Sequence, residues 1–175
     1  MTNQVAADPI WVELLGQPEA IAQLEIAIRA KAEGVYHAWL ITGPPGSGRS
    51  NMAHAFAAAL LCEKDGCGEC KSCLMAAAGS HPDISTLATE RVQISIDEVR
   101  ELVASSQFGS SLGKYRIMVI EDADRMQERS SNVLLKALEE PPAGTIWLLC
   151  APSEADMLPT IRSRVRRVGL KVPAV

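Results

Sequence analysis

The stretch AWLITGPPGSGRS, residues 38 to 50, constrains this chain more than any other. Its first part, Ala38 to Thr42, is a short apolar run that predicts a buried strand, and glycine and proline then end that strand. The residues that follow match the phosphate-loop pattern G-x-x-x-x-G-K-[ST], and they are Gly43, Pro44, Pro45, Gly46, Ser47, Gly48, Arg49 and Ser50. Backbone N–H groups of such a loop surround a phosphate, and its serine holds Mg²⁺. The loop therefore predicts a site for ATP and Mg²⁺.

One position of the loop departs from the pattern, because Arg49 stands where lysine is expected. Arginine keeps the positive charge but replaces a compact ammonium group with a planar fork, so the contact with the β- and γ-phosphates is altered. A glycine-rich turn without a ligand is the competing interpretation. The strand before the loop and the amphipathic run at residues 51–61 after it favour the phosphate loop.

The second motif is acidic. It follows the apolar run Ile117 to Ile120, where Glu121 and Asp122 come in succession. In phosphate-loop proteins, paired acids at the end of a strand direct one carboxylate toward Mg²⁺ and the next toward the attacking water. The usual order is Asp then Glu, and here it is inverted. Each carboxyl group is displaced by one methylene, which predicts weak or absent hydrolysis. The alternative is a solvated acidic turn.

Four of the five cysteines lie within twelve residues, at Cys62, Cys67, Cys70 and Cys73. Their spacing, C-x4-C-x2-C-x2-C with glycines between, can place four thiolates around one tetrahedral Zn²⁺. Four protein ligands would close the coordination shell, so the predicted zinc site is structural. Iron–sulfur ligation is the alternative. Cys150 lies apart in an apolar run and is expected to be a buried free thiol.

Strands and helices alternate along the chain, which predicts an α/β fold with a parallel sheet flanked by helices on both faces. Helices are predicted at residues 18–31, 49–61, 75–80, 95–105 and 132–140, and strands at 38–42, 83–87, 117–120, 145–151 and close to the end. The 175 residues, 47% of them apolar, suit one domain with its own core. A net charge of −4 argues against a protein that coats nucleic acid. With no apolar run near the roughly 18 residues of a membrane span and no signal sequence, we expect a soluble, cytoplasmic protein.

Five motifs taken together carry a family resemblance: GPPGSGRS, the four-cysteine insert, EDADRM, NVLLKALEEPP and LPTIRSR. In this order and spacing, residues 11 to 170 resemble the N-terminal AAA+ module of bacterial DNA polymerase III clamp-loader subunits. Arg49 and the order Glu121-Asp122 make the chain more similar to the delta-prime branch than to the tau/gamma motor branch. The resemblance implies an AAA+ P-loop NTPase fold with a small zinc module at residues 62–73. It also implies that Arg164 is an arginine finger that acts in trans, although Val165 replaces the usual cysteine of the Ser-Arg-Cys motif.

The resemblance further implies a place in the DNA polymerase III holoenzyme, in ATP-dependent loading of the sliding clamp onto primed DNA. The implied partners are the tau/gamma and delta subunits, with the chain acting as a stator whose own ATPase is weak or absent. We expect residues 1–10 to be a flexible end, and residues 171–175 to be a tail that stops where lid and collar domains would begin. Two other functions compete: a tau/gamma motor ATPase, and a zinc-containing DNA-binding module with a vestigial phosphate loop. The basic run 162–167 can also be read as a solvated face.

Overall fold

Five parallel strands form one sheet in the order β2-β3-β4-β1-β5, and they are β1 (Ala38–Thr42), β2 (Ile84–Leu87), β3 (Arg116–Ile120), β4 (Thr145–Ala151) and β5 (Arg166–Gly169). The computed structural model describes residues 9–14 and 16–172. The predicted flexible end therefore falls mostly on residues 1–8, which lie outside the described residues, as do residues 173–175 of the tail. The parallel α/β architecture predicted from the sequence is confirmed.

The described part of the chain has six α-helices, of which the first precedes β1 and the other five connect strands. They are α1 (Pro18–Arg29), α2 (Arg49–Leu61), α3 (Lys71–Ala77), α4 (Ile96–Ser106), α5 (Glu128–Glu139) and α6 (Pro159–Arg162). Three single 3₁₀ segments accompany them at Pro9–Leu14, Ala123–Arg125 and Glu154–Asp156. None of the helices within the described ranges is long and apolar enough to cross a bilayer.

Helix ends follow local capping chemistry. A capping box begins α4, with the Glu98 N–H donating to the Ser95 Oγ at 3.2 Å and the Ser95 N–H donating to the Glu98 carboxylate at 2.7 Å. Helix α3 begins earlier than the predicted Met75, because Cys70 caps it by accepting the N–H of Cys73. Helix α5 also begins four residues before the predicted Asn132. The sequence pattern missed this start because the first turn of the helix is polar and carries no apolar periodicity.

Helices cover both faces of the sheet. Successive residues of a strand point to opposite faces, so each strand contributes side chains to both. Trp39 and Ile41 of β1 pack in the cluster that contains α1 and α2. Leu40, between them, packs in the cluster that contains α4 and α5. The sheet is therefore the middle layer of three, as the alternation of elements predicts.

The sheet has two functional edges, set by the direction of its strands. The phosphate loop follows the carboxyl end of β1, and Glu121 follows the carboxyl end of β3, with β4 lying between these strands. We call this side the C-terminal edge. Arg164 comes just before β5, so it lies at the opposite, N-terminal edge.

Candidate functional site

The phosphate loop has the backbone that its glycines predict. Gly48 adopts φ = +90°, a left-handed conformation that favours glycine, and α2 begins at the next residue. Gly43 approaches Ser47 so closely that a Cβ at residue 43 would lie 2.5 Å from the Ser47 Oγ. The loop thus turns directly into the N-terminus of a thirteen-residue helix, where unpaired N–H groups and the helix dipole attract anions.

Arg49 lies across this loop instead of projecting into solvent. Its Nη1 donates to the Gly43 carbonyl at 2.8 Å, and its Nη2 is 3.9 Å from the Asp122 carboxylate. The side chain is only 16% exposed. Part of the charge that a phosphate-loop lysine would offer to a phosphate is therefore used within the protein.

Glu121 is engaged by two side chains of α2. The Ser50 hydroxyl donates to its carboxylate at 2.7 Å, and the Nε2 of His54 lies 3.1 Å from the same oxygen. His54 belongs to none of the sequence motifs that predict the site. Its position four residues after Ser50 on α2 was the available signal, because residues four apart share one face of a helix.

A cavity of about 270 Å³ lies beside Arg49, Ser50 and Glu121 at the C-terminal edge. Its walls combine the predicted loop with the predicted carboxylates: Gly46, Ser47, Gly48, Arg49, Ser50, Asn51, Glu121 and Asp122. The cavity has room for phosphate groups, and the N-terminus of α2 that borders it attracts anions. The hydroxyl and carboxylate oxygens at its rim are suitable ligands for Mg²⁺.

The four clustered cysteines converge at the far end of α2. Their Sγ atoms all lie within 4.8 Å of one another, and the Sγ of Cys62 is 3.7 Å from that of Cys67 and 3.8 Å from that of Cys70. Tetrahedral zinc with Zn–S bonds of about 2.3 Å requires sulfur atoms roughly 3.8 Å apart. The separations of the four sulfur atoms, including that of Cys73, are therefore suitable for binding one metal ion.

Backbone N–H groups favour a thiolate within this cluster. Burial by itself raises the pKa of Cys62, but N–H groups of Cys67, Gly66 and Lys64 outweigh burial and lower that pKa to about 6. Burial raises the pKa of Cys73. Hydrogen bonds from N–H groups to ligand sulfur atoms are the usual outer contacts of a metal–thiolate site.

Cys150 has the opposite environment. It is fully buried in β4, and burial raises the pKa of its thiol to about 12. Such a thiol is inert, and the prediction of a buried free thiol is confirmed.

Arg164 is held at the N-terminal edge. Its carbonyl accepts the Tyr36 hydroxyl at 2.8 Å, its Nη1 donates to the Thr160 carbonyl at 2.7 Å, and its Nη2 lies 2.9 Å from the Glu139 carboxylate. Tyr36 precedes β1, whereas the phosphate loop follows β1 from Gly43. At roughly 3.3 Å per residue of strand, Arg164 lies on the order of 20 Å from the loop of its own chain.

The other arginines of the basic run have separate contacts. The Arg166 guanidinium lies 4.6 Å above the centre of the Tyr36 ring, and Arg167 pairs with Glu154 at 3.0 Å. The run is therefore not a uniformly solvated face. The ring of His37 has a structural contact, since its Nε2 lies 2.8 Å from the Leu138 carbonyl.

Comparison with known families gives a match over most of the chain. The family described as DNA polymerase III, delta subunit, matches residues 16–174. The chain is 39% identical over 143 residues to DNA polymerase III subunit delta' of Pseudomonas aeruginosa, covering 78% of the chain and 44% of that protein. It is 36% identical over 144 residues to the delta' subunit of Escherichia coli, covering 79% and 43%. The chain thus spans less than half the length of these curated relatives.

A second group of relatives is less similar in sequence but covers more of the chain. Identity to the gamma/tau subunit of Mycobacterium bovis is 30% over 167 residues, covering 93% of the chain and 28% of that protein. A solved gamma subunit-related protein from Thermotoga maritima has a TM-score of 0.70 and 26% identity, covering 86% of this chain and 46% of that one. The RuvB branch-migration motor of the same organism has a TM-score of 0.60 at 16% identity, a likeness of fold alone.

Proposed function

Because this chain belongs to the DNA polymerase III delta-subunit family, we propose that it is the AAA+ module of a delta-prime clamp-loader subunit. Such a subunit takes part in ATP-dependent loading of the sliding clamp onto primed DNA, beside tau/gamma and delta subunits in the cytoplasm. Greater identity to delta' relatives, 39% and 36%, than to gamma/tau, 30%, supports this choice. We assign residues 11–170 to the module, with the zinc module at residues 62–73.

The proposed role of its own nucleotide site is structural. Bound ATP with Mg²⁺ would bring its phosphates to the loop, where backbone N–H groups and Ser50 would hold them. The contacts of Arg49 with Gly43 and Asp122 support a degenerate site, because the guanidinium is already engaged. The pairing of Glu121 with Ser50 and His54 points the same way, since it commits the carboxylate that metal binding needs.

The proposed catalytic contribution is Arg164, which acts on the nucleotide of a neighbouring subunit. The observation that carries this proposal is its place at the N-terminal edge, on the order of 20 Å from its own phosphate loop. Its side chain is still 36% exposed and therefore accessible to a neighbour. An arginine finger in trans stabilises the charge that develops on the γ-phosphate and accelerates turnover by roughly 10³- to 10⁵-fold.

The proposed cofactor is one zinc ion held by Cys62, Cys67, Cys70 and Cys73. The close match of the sulfur separations to tetrahedral geometry supports it. Zinc there would contribute folding free energy to residues 62–73 and take no part in catalysis.

The decisive experiment measures ATPase stimulated by clamp and primed DNA, with the protein assembled with tau/gamma and delta subunits. We expect Arg164→Ala to lower the rate while assembly persists, and Arg164→Lys to restore little, because an ammonium cannot reproduce the fork. Arg167→Ala, which loses the pair with Glu154, is the control and should keep the rate. A normal rate for Arg164→Ala, or a low rate for the control, would refute the assignment.

A motor ATPase is the second candidate, favoured by the gamma/tau match over 93% of the chain. The two functions differ in the turnover of the isolated protein. A motor subunit should hydrolyse ATP at about 1 s⁻¹ or more, and a stator far more slowly.

A further inference from the structure

Residues from two distant segments and from the turn just before it contact Arg164. Tyr36, which precedes β1, donates its hydroxyl to the Arg164 carbonyl at 2.8 Å. Glu139, the last residue of α5, places its carboxylate 2.9 Å from Nη2. The Thr160 carbonyl and the Ser163 hydroxyl accept from Nη1 at 2.7 and 3.1 Å. Both the backbone and the side chain of Arg164 are therefore fixed.

The two long-range partners are themselves fixed relative to each other. The Arg166 guanidinium lies 4.6 Å from the centre of the Tyr36 ring, and the centre of the His37 ring is 4.7 Å from it. The Nε2 of His37 in turn lies 2.8 Å from the carbonyl of Leu138, one residue before Glu139. The start of β1 and the end of α5 are thus tied together beside the arginine.

These contacts restrain a side chain that is otherwise among the most flexible. An exposed arginine samples many rotamers, whereas transition-state stabilisation depends on placing the charge within a fraction of an ångström. Within residues 9–14 and 16–172, the Nε–H of Arg164 has no acceptor, so it remains available together with one Nη2 N–H. The restrained guanidinium can therefore still meet a phosphate oxygen outside its own chain.

We propose that Tyr36 and Glu139 are positioning residues that hold Arg164 in the orientation needed to reach the neighbouring subunit's nucleotide. The inference rests on the proposed function, since it gives Arg164 a role in trans. Tyr36 sets the backbone at residue 164, and Glu139 sets the direction of the guanidinium. Neither residue touches the nucleotide.

The test uses Tyr36→Phe and Glu139→Gln in the clamp loader assembled with tau/gamma and delta subunits. Tyr36→Phe removes the hydrogen bond to the Arg164 carbonyl, and Glu139→Gln removes the negative charge that pairs with the guanidinium. We expect the clamp- and DNA-stimulated kcat to fall about two- to fivefold in each variant. The KM for ATP should not change, because the finger acts in the transition state. Two matched controls should keep the kcat. Tyr115→Phe removes a hydroxyl that donates to the Lys31 carbonyl, away from Arg164, and Glu154→Gln removes the negative charge that pairs with Arg167.

A double-mutant cycle separates positioning from a general effect on folding. If Tyr36 and Glu139 act through Arg164, adding Tyr36→Phe or Glu139→Gln to Arg164→Ala should lower the kcat no further. An equal fall in the Arg164→Ala background would overturn the inference, and so would a kcat that rises in Glu139→Gln.

The result for Arg164→Ala alone separates the two proposals. A normal rate for that variant would refute the finger, and with it this inference. A low rate for Arg164→Ala with normal rates for Tyr36→Phe and Glu139→Gln would overturn the positioning role and leave the finger in place.

Discussion

Replacing Asp83 by asparagine should destabilise the fold at a site remote from the nucleotide. Asp83 is fully buried just before β2, where the sequence predicts a strand residue. Its carboxylate instead accepts the N–H groups of Ser111, Leu112 and Gly113, the last two at 2.9 and 3.1 Å. This single side chain therefore fixes the loop that leads into β3.

The magnitude follows from these three hydrogen bonds. A hydrogen bond to a charged group contributes about 1.5–3 kcal/mol, and a buried donor left without an acceptor costs about 1–3 kcal/mol. Asparagine keeps one acceptor oxygen but turns an NH₂ group toward one of the loop N–H groups. We therefore expect Asp83→Asn to lower the free energy of unfolding by about 2–4 kcal/mol, and the Tm by roughly 5–15 °C.

The pH dependence has a definite sign. Burial by itself raises the pKa of Asp83, but the N–H groups of residues 111–113 outweigh burial and hold that pKa below its ordinary value of 3.8. A carboxyl group whose pKa is lower in the folded state stabilises the fold above its unfolded pKa. That stabilisation is lost as the pH falls through the folded pKa. The difference between wild type and Asp83→Asn should thus be constant above about pH 5 and shrink below pH 4.

Urea unfolding between pH 3 and pH 8 measures this difference. Asp97→Asn is the matched control, because Asp97 is 89% exposed on α4, and it should change stability by no more than about 0.5 kcal/mol. The reasoning would be refuted if Asp83→Asn cost less than about 1 kcal/mol at pH 7. It would also be refuted if the difference were undiminished at pH 3.

Three further predictions concern the proposed site. Metal analysis should find one zinc ion per chain, and a chelator should raise hydrogen exchange in residues 62–73 while the strands stay protected; a brown, iron-containing protein would contradict zinc. The isolated protein should turn over ATP far below about 1 s⁻¹ in a steady-state assay, and a faster rate would indicate a motor subunit. Arg49→Lys should bind ATP with Mg²⁺ more tightly in a fluorescent-nucleotide titration, because it removes the guanidinium contact with Gly43. Unchanged affinity would show that Arg49 does not limit binding.

The sequence by itself determined the fold class and the residue types of both sites. Spacing along the chain carries this information when the interacting residues are close in sequence. The loop from Gly43 to Ser50 and the cysteines of residues 62–73 are such cases, because a turn or a short insert brings their members together. The short apolar runs separated by helical segments likewise predicted a parallel sheet, and the order of its strands agrees with that class.

Only the tertiary structure decided which distant side chains meet. Tyr36 and Arg164 are 128 residues apart, and no periodicity or motif links them. They meet because β1 lies beside β5 in a parallel sheet, which brings the residues before both strands to the same edge. The contact of His54 with Glu121 and the hold of Asp83 on the loop before β3 arise in the same way. Packing fixes such contacts through the order and register of the strands, and local sequence patterns do not encode either.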